Sequence, residues 1–230
     1  MIYEIDKGTG LFCSEGAGCR VYFIARPEPM LIDTGAMGRG DAILRDLASI
    51  GVQPIQIRKI ILTHHHVGHT GGLWLLKRRC GAHAMAHKAD APYITGKRPR
   101  RSSRRSVERA FHSAIAKVGF GDAMVVSLER LLDDGDEING WRVIHTPGQT
   151  PGHICLHKRE VLISGDLLMA SAGAFRPAPP QTIVDPVAYR TSLQNVAHLD
   201  FEIILPAHNP PYVVDAGKKV RELVAGLERA

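Results

Sequence analysis

No apolar run in these 230 residues approaches the roughly 20 that a membrane-spanning helix needs, so no membrane partner is expected. The start, Met1-Ile2-Tyr3-Glu4-Ile5-Asp6, lacks both the basic opening and the apolar stretch of a secretory leader, and a cytoplasmic location is expected. Cysteine is scarce: Cys13, Cys19, Cys80 and Cys155 show no Cys-x-x-Cys spacing, which disfavours a zinc ribbon or a redox dithiol. Cys13 and Cys19 are read as buried or free thiols rather than a local bridge. Linker-like and low-complexity stretches are missing, so a single domain over 1–230 is the simplest organisation. An even excess of positive charge is missing too. Of the net +6, seven cations and one acid fall in 97–109, and the rest balances at 22 of each sign. A globally basic nucleic-acid binder is therefore not indicated. The basic segment has no interleaved aromatics for base stacking. It reads as a solvated helix start within a basic helical insertion around 90–120, and nucleic acid is a disfavoured partner beside a small-molecule substrate, an anionic one included.

What is present is ordinary globular composition, 44% hydrophobic and 23% charged, with twelve histidines that cluster. Val21–Ala25 and Met30–Ile32 flank the turn Arg26-Pro27-Glu28-Pro29 and predict a hairpin. Ala42, Ile43, Leu44, Leu47 and Ile50 recur at helical spacing, and Leu73–Arg79 predicts a helix closed by Gly81. Lys59–Thr63, His83–His87, Trp141–His145, His153–His157, Val161–Ser164 and Glu202–Leu205 read as strands. Helices are expected at 104–118, at 187–197 and over the stripe Val220, Leu223, Val224, Leu227. The span 167–186, rich in Pro and Ala, reads as a long loop. There is an internal echo. Leu31-Ile32-Asp33-Thr34-Gly35 matches Leu162-Ile163-Ser164-Gly165-Asp166, and Ile60-Ile61-Leu62-Thr63-His64 matches Ile203-Ile204-Leu205-Pro206-Ala207-His208, in the same order. Two similar βα halves would explain it.

Four segments place metal-capable side chains just past strands: His64-x-His66-x-Gly68-His69, His145-Thr146-Pro147-Gly148, Ser164-Gly165-Asp166 and Pro206-Ala207-His208. Imidazole and carboxylate converging from several loops suit a borderline cation such as zinc. A single histidine is more often a packing residue; six ligand-type residues in this order are not.

On these motifs the chain resembles the metallo-β-lactamase superfamily, whose pattern His-x-His-x-Asp-His is followed here except at one position, and whose His-Thr-Pro-Gly-x-Thr-Pro-Gly-His run spans 145–153. The resemblance implies an α/β fold, a four-layer αββα sandwich with the metals at one edge. It also implies a metal-dependent hydrolase acting on an ester, thioester or lactone. Carried across, it makes His64, His66 and His145 ligands of a first metal, His69 and His208 ligands of a second, and Asp166 the bridging carboxylate. Asp166 and His208 are then the catalytic candidates. His153 is expected to support rather than ligate, Asp33 to hold the ligand loops by hydrogen bonds, and His65 to point away from its neighbours' metal.

The departure is Gly68, which stands where the family has an aspartate. Zinc is the expected ion, one held tightly and a second held weakly or not at all; iron and manganese fit the same ligands. Three readings stay open: a one-metal hydrolase, a two-metal enzyme with a labile second ion, and a catalytically impaired metal-binding protein. A phosphodiesterase or nuclease using the 97–109 patch is a further alternative. From the roughly 20 residues that follow His208, a helical domain of the kind glyoxalase II carries is not expected.

Overall fold

Strand and helix boundaries follow the apolar pattern closely in the computed structural model, which describes residues 1–5, 8–99, 126–171 and 174–229. The chain divides into two compact units, residues 1–131 and 132–230.

In the first unit the strands are β1 (Ile2–Glu4), β2 (Leu11–Ser14), β3 (Val21–Ile24), β4 (Met30–Ile32), β5 (Lys59–Leu62), β6 (His83–His87) and β7 (Arg130–Leu132), in that spatial order. β3 and β4 form the expected hairpin, antiparallel with Phe23 opposite Leu31. From β4 the pairing turns parallel, Leu31 beside Ile60 and Ile61 beside Met85. Strands in a parallel run are covered on both faces, and Leu31, Ile32, Ile60, Ile61 and Leu62 are all fully buried. Helix α1 (Gly40–Ser49) makes the crossover from β4 to β5 and buries Ile43 and Leu47, one turn apart. After the short α2 (Val67–Thr70), α3 (Leu73–Cys80) ends where Gly81 takes the left-handed φ of +66° that closes a helix at low steric cost. A short α4 (Ala91–Ile94) follows β6.

In the second unit β8 (Glu137–Ile138), β9 (Trp141–His145), β10 (Ile154–Lys158) and β11 (Val161–Gly165) run as an antiparallel meander. β14 (Ile203–Pro206) joins β11 in parallel, with Leu162 beside Ile204. Helices α5 (Pro186–Ala197) and α6 (Ala216–Glu228) supply Tyr189, Leu193, Val196 and Val220 to a core with Ile144, Leu162 and Phe201. Asp185 caps α5, its carboxylate accepting the N–H groups of Val187 and Ala188 at 3.1 and 3.0 Å.

The long loop expected over 167–186 is corrected. Two strands pair antiparallel instead, β12 (Leu168–Ser171) against β13 (Ala174–Pro177), followed by a 3-10 turn at Pro180–Thr182. Alanine and proline masked the strand pattern, yet Leu168 and Phe175 each bury a side chain in the core. The helix expected at 104–118, with most of the basic segment and of the 90–120 insertion, lies outside the described residues. No helix among the described residues is long and apolar enough to cross a membrane. All four cysteines are buried and outside any disulfide.

Candidate metal centre

The internal echo has a structural counterpart in each unit. β4 lies parallel to β5, and β11 lies parallel to β14, so each pair ends on one side of its sheet. A carboxylate follows the first strand of each pair, Asp33 after β4 and Asp166 after β11. A histidine follows the second, His64 after β5 and His208 after β14.

In the first unit Asp33 is the hub. It is only 2% exposed and holds φ at +64°, a left-handed conformation that aspartate tolerates better than most residues with a Cβ. Its carboxylate accepts the Thr63 backbone N–H at 2.8 Å, the Thr63 hydroxyl at 2.8 Å and His69 Nδ1–H at 2.7 Å. Having given its hydrogen to Asp33, the Thr63 hydroxyl can only accept from His64, whose Nδ1 lies 3.0 Å away. Both rings therefore carry the proton on Nδ1 and the lone pair on Nε2. That is the second-sphere arrangement that orients an imidazole toward a cation. His64 Nε2 is 3.0 Å from His66 Nδ1, and the His64 and His69 rings lie 4.0 Å apart. Two nitrogens bound to one ion at about 2.0–2.1 Å are separated by roughly this distance, so the donor set fits a divalent cation.

His65 turns the other way, as expected. It is buried and stacked on Tyr93 at 4.5 Å. Its backbone N–H donates to Asp90 Oδ2 at 2.8 Å, and its Nδ1 lies 3.0 Å from the same oxygen. Asp90, fully buried, thus anchors the middle of the loop that carries His64 and His66. At Gly68 an added Cβ would meet nothing within 4 Å, and the glycine carbonyl accepts from the Cys19 thiol at 3.1 Å.

In the second unit Asp166 is the hub. His208 Nε2 lies 3.2 Å from its Oδ1, with the His208 side chain 36% exposed. The Asp166 backbone N–H donates to His153 Nε2 at 3.2 Å. His153 must then carry its proton on Nδ1, which meets Thr146 Oγ1 at 2.7 Å. His153 thus has the supporting contacts expected of it, fixing the backbone that presents Asp166. Gln149, absent from the sequence-based set, is 3% exposed and donates Nε2–H to Asp166 Oδ2 at 2.9 Å. An amide carries no charge, so a search for titratable groups passes over it; the only signal was its place in the 145–153 run. His145 ends β9, where its Nε2 meets the Pro151 carbonyl at 2.9 Å. The proton is therefore on Nε2, and only Nδ1 could serve a cation. His145 also lines a cavity of about 550 Å³ with Asp134, Arg142 and Ser192. Nearby Cys155 is held as the neutral thiol, its pKa pushed up to about 12 by burial.

Gly148 closes the turn at φ +135°, a region L side chains rarely adopt, with an added Cβ falling 2.4 Å from Tyr189 Cα. The Tyr189 hydroxyl accepts the Ala178 N–H at 2.6 Å and donates to the Leu167 carbonyl at 2.5 Å. It ties down the residue that follows Asp166.

These donor sets suit a metal-dependent class of protein, and comparison with known proteins agrees. The metallo-beta-lactamase superfamily profile matches residues 16–208, and the chain belongs to that superfamily. A Bacillus subtilis protein named "Probable metallo-hydrolase YflN" is 28% identical over 235 residues, covering 90% of this chain and 89% of its own length. An Aeromonas hydrophila protein named "Hydroxyacylglutathione hydrolase" is 31% identical over 180 residues, 74% of this chain and 54% of that protein. A solved metallo-β-lactamase of Cronobacter sakazakii, described by its HARLDQ motif, superposes with a TM-score of 0.71 at 19% identity, covering 99% of this chain and 93% of the other. The chain is thus a mixed α/β enzyme with the metallo-β-lactamase fold, the sandwich class expected from its motifs, and a metallo-hydrolase.

Proposed function

We infer that this chain hydrolyses an ester, thioester or lactone bond in a small molecule, with thioesters first. The histidines of the first unit make one candidate donor set, and the Asp166–His208 pair of the second unit makes another. The observation that carries the reading is the Asp33 network, which puts the lone pairs of His64 and His69 on Nε2 with His66 Nδ1 3.0 Å from His64. Structural packing does not require three imidazoles at one strand end, two of them with such tautomer control. A family profile spanning both units supports a single functional domain. The thioester preference draws on the Aeromonas hydrophila relative's name.

A divalent cation held by donors such as His64, His66 and His69 would supply Lewis acidity, able to acidify water and to polarise a carbonyl oxygen. Asp33, Thr63 and His153 keep ligand tautomers and backbone fixed, so little reorganisation is needed during reaction. Asp166 and His208 sit where a proton can pass between carboxylate and imidazole. Gly68 brings no carboxylate, so one ion should bind tightly and a second weakly.

The test is metal titration followed by assay of the loaded chain against a thioester, a lactone and a phosphodiester, each with a chelator control. Chelator-sensitive thioester or lactone turnover, with one tight ion per chain, is expected. Turnover of the phosphodiester alone, or two equally tight ions, would overturn this reading.

A further inference from the structure

The amide of Gln149 is held at one end only. Its Nε2–H faces Asp166 Oδ2 at 2.9 Å, which fixes the orientation of the group, because an amide oxygen turned to the carboxylate would be repelled. The other end, Oε1, is buried with no hydrogen-bond partner among the described residues. Buried carbonyl oxygens nearly always accept a bond or coordinate something. This one belongs to a side chain that is 97% buried and sits on the planar amide that touches Asp166, the carboxylate that His208 also approaches at 3.2 Å.

We propose that Gln149 is a specificity-determining residue of the metal centre. Its Oε1 is a neutral oxygen donor for the cation that Asp166 and His208 help to hold, and it tilts the centre toward oxygen-seeking ions such as Mn²⁺ and away from Zn²⁺. The inference rests on the metal-dependent reading above. Carboxylate and carbonyl oxygens suit Mn²⁺, whereas imidazole suits Zn²⁺. The sequence places an imidazole at His145, but the structure brings an amide to the carboxylate instead and sets His145 Nε2 against the Pro151 carbonyl. One side chain then does two things: its N–H orients Asp166, and its oxygen adds a donor without adding charge.

The 230-residue chain, stripped of metal, is titrated calorimetrically with Mn²⁺ and separately with Zn²⁺, alongside Gln149→His, Gln149→Leu and Gln149→Glu, with a thermal melt of each. Gln149→His is expected to tighten Zn²⁺ at least tenfold without tightening Mn²⁺. Gln149→Leu is expected to weaken Mn²⁺ at least tenfold, and Gln149→Glu to tighten both ions through its added charge. If Gln149→Leu folds and binds both ions as the unmodified chain does, the proposal falls while the metal-dependent reading stands. If Gln149→Leu does not fold, the other two variants decide: unchanged affinities in both overturn the proposal. If the unmodified chain binds neither ion, both readings fall together.

Discussion

Asp33 shows how much of a candidate metal site can rest on a residue outside its proposed ligand set. It takes three hydrogen bonds in a buried setting, and one of its partners, Thr63, relays the constraint to His64. Asp33→Ala orphans the Thr63 and His69 donors. Each unsatisfied buried donor costs about 1–3 kcal/mol, and loss of an outer-sphere partner typically lowers metal affinity about 10–100-fold. Thermal melts and metal titration of Asp33→Ala should show both losses, and Asp33→Asn should recover part of the stability. Affinity unchanged in the alanine variant would remove Asp33 from the site. Gly68 makes the opposite case. The space beside it is open and its φ is not left-handed, so Gly68→Asp should fold like the unmodified chain and bind a second ion at least tenfold more tightly. A titration with no change in the weaker site would show that the missing carboxylate is not what limits it. At this scale the histidines, Asp33 and Asp166 were legible because charge and spacing mark them. Gln149 was not, because a neutral amide becomes informative only once its neighbour is known.

The elements explain why the polar residues within each unit meet. A strand followed by a helix and a parallel strand puts both strand ends on the same side of a sheet. The repeated pattern of a polar residue after one strand and a histidine after the next could therefore be read from sequence as two related halves, and the β4–β5 and β11–β14 pairings bear it out. The β12–β13 pairing escaped because alanine and proline mask its strands and a residue far along the chain flanks it. Tyr189, on α5, bridges Leu167 and Ala178 and so clamps both ends of it. Removing the hydroxyl in Tyr189→Phe leaves a buried N–H and a buried carbonyl without that partner, and a loss of about 1–3 kcal/mol is expected in a denaturant melt. Because Leu167 follows Asp166, the same variant should weaken metal binding while leaving the helical circular dichroism intact. A melt unchanged from that of the unmodified chain would mean that the core alone holds the two strands.

For the whole molecule, the charge excess settles little and the thiols settle more. The +6 belongs to 97–109, mostly outside the described residues, while the rest of the chain is balanced. Burial raises the thiol pKa values of Cys13 and Cys80 to about 11 and of Cys155 to about 12, each from 9.0. Below pH 9 these groups are protonated in both the folded and the unfolded chain and add no pH dependence. Above it the unfolded chain releases protons that the folded chain still holds, so the unfolded state is favoured and stability falls as pH rises from 9 toward 11–12. Each unit of elevation corresponds to about 1.4 kcal/mol, so a melting temperature lower by several degrees at pH 10.5 than at pH 8.5 is expected. The same burial should leave the native thiols slow to alkylate at pH 8 and quick to do so in denaturant. A melting temperature flat to pH 10.5, or native thiols that titrate near 9, would show that these cysteines are reached by water in the folded chain.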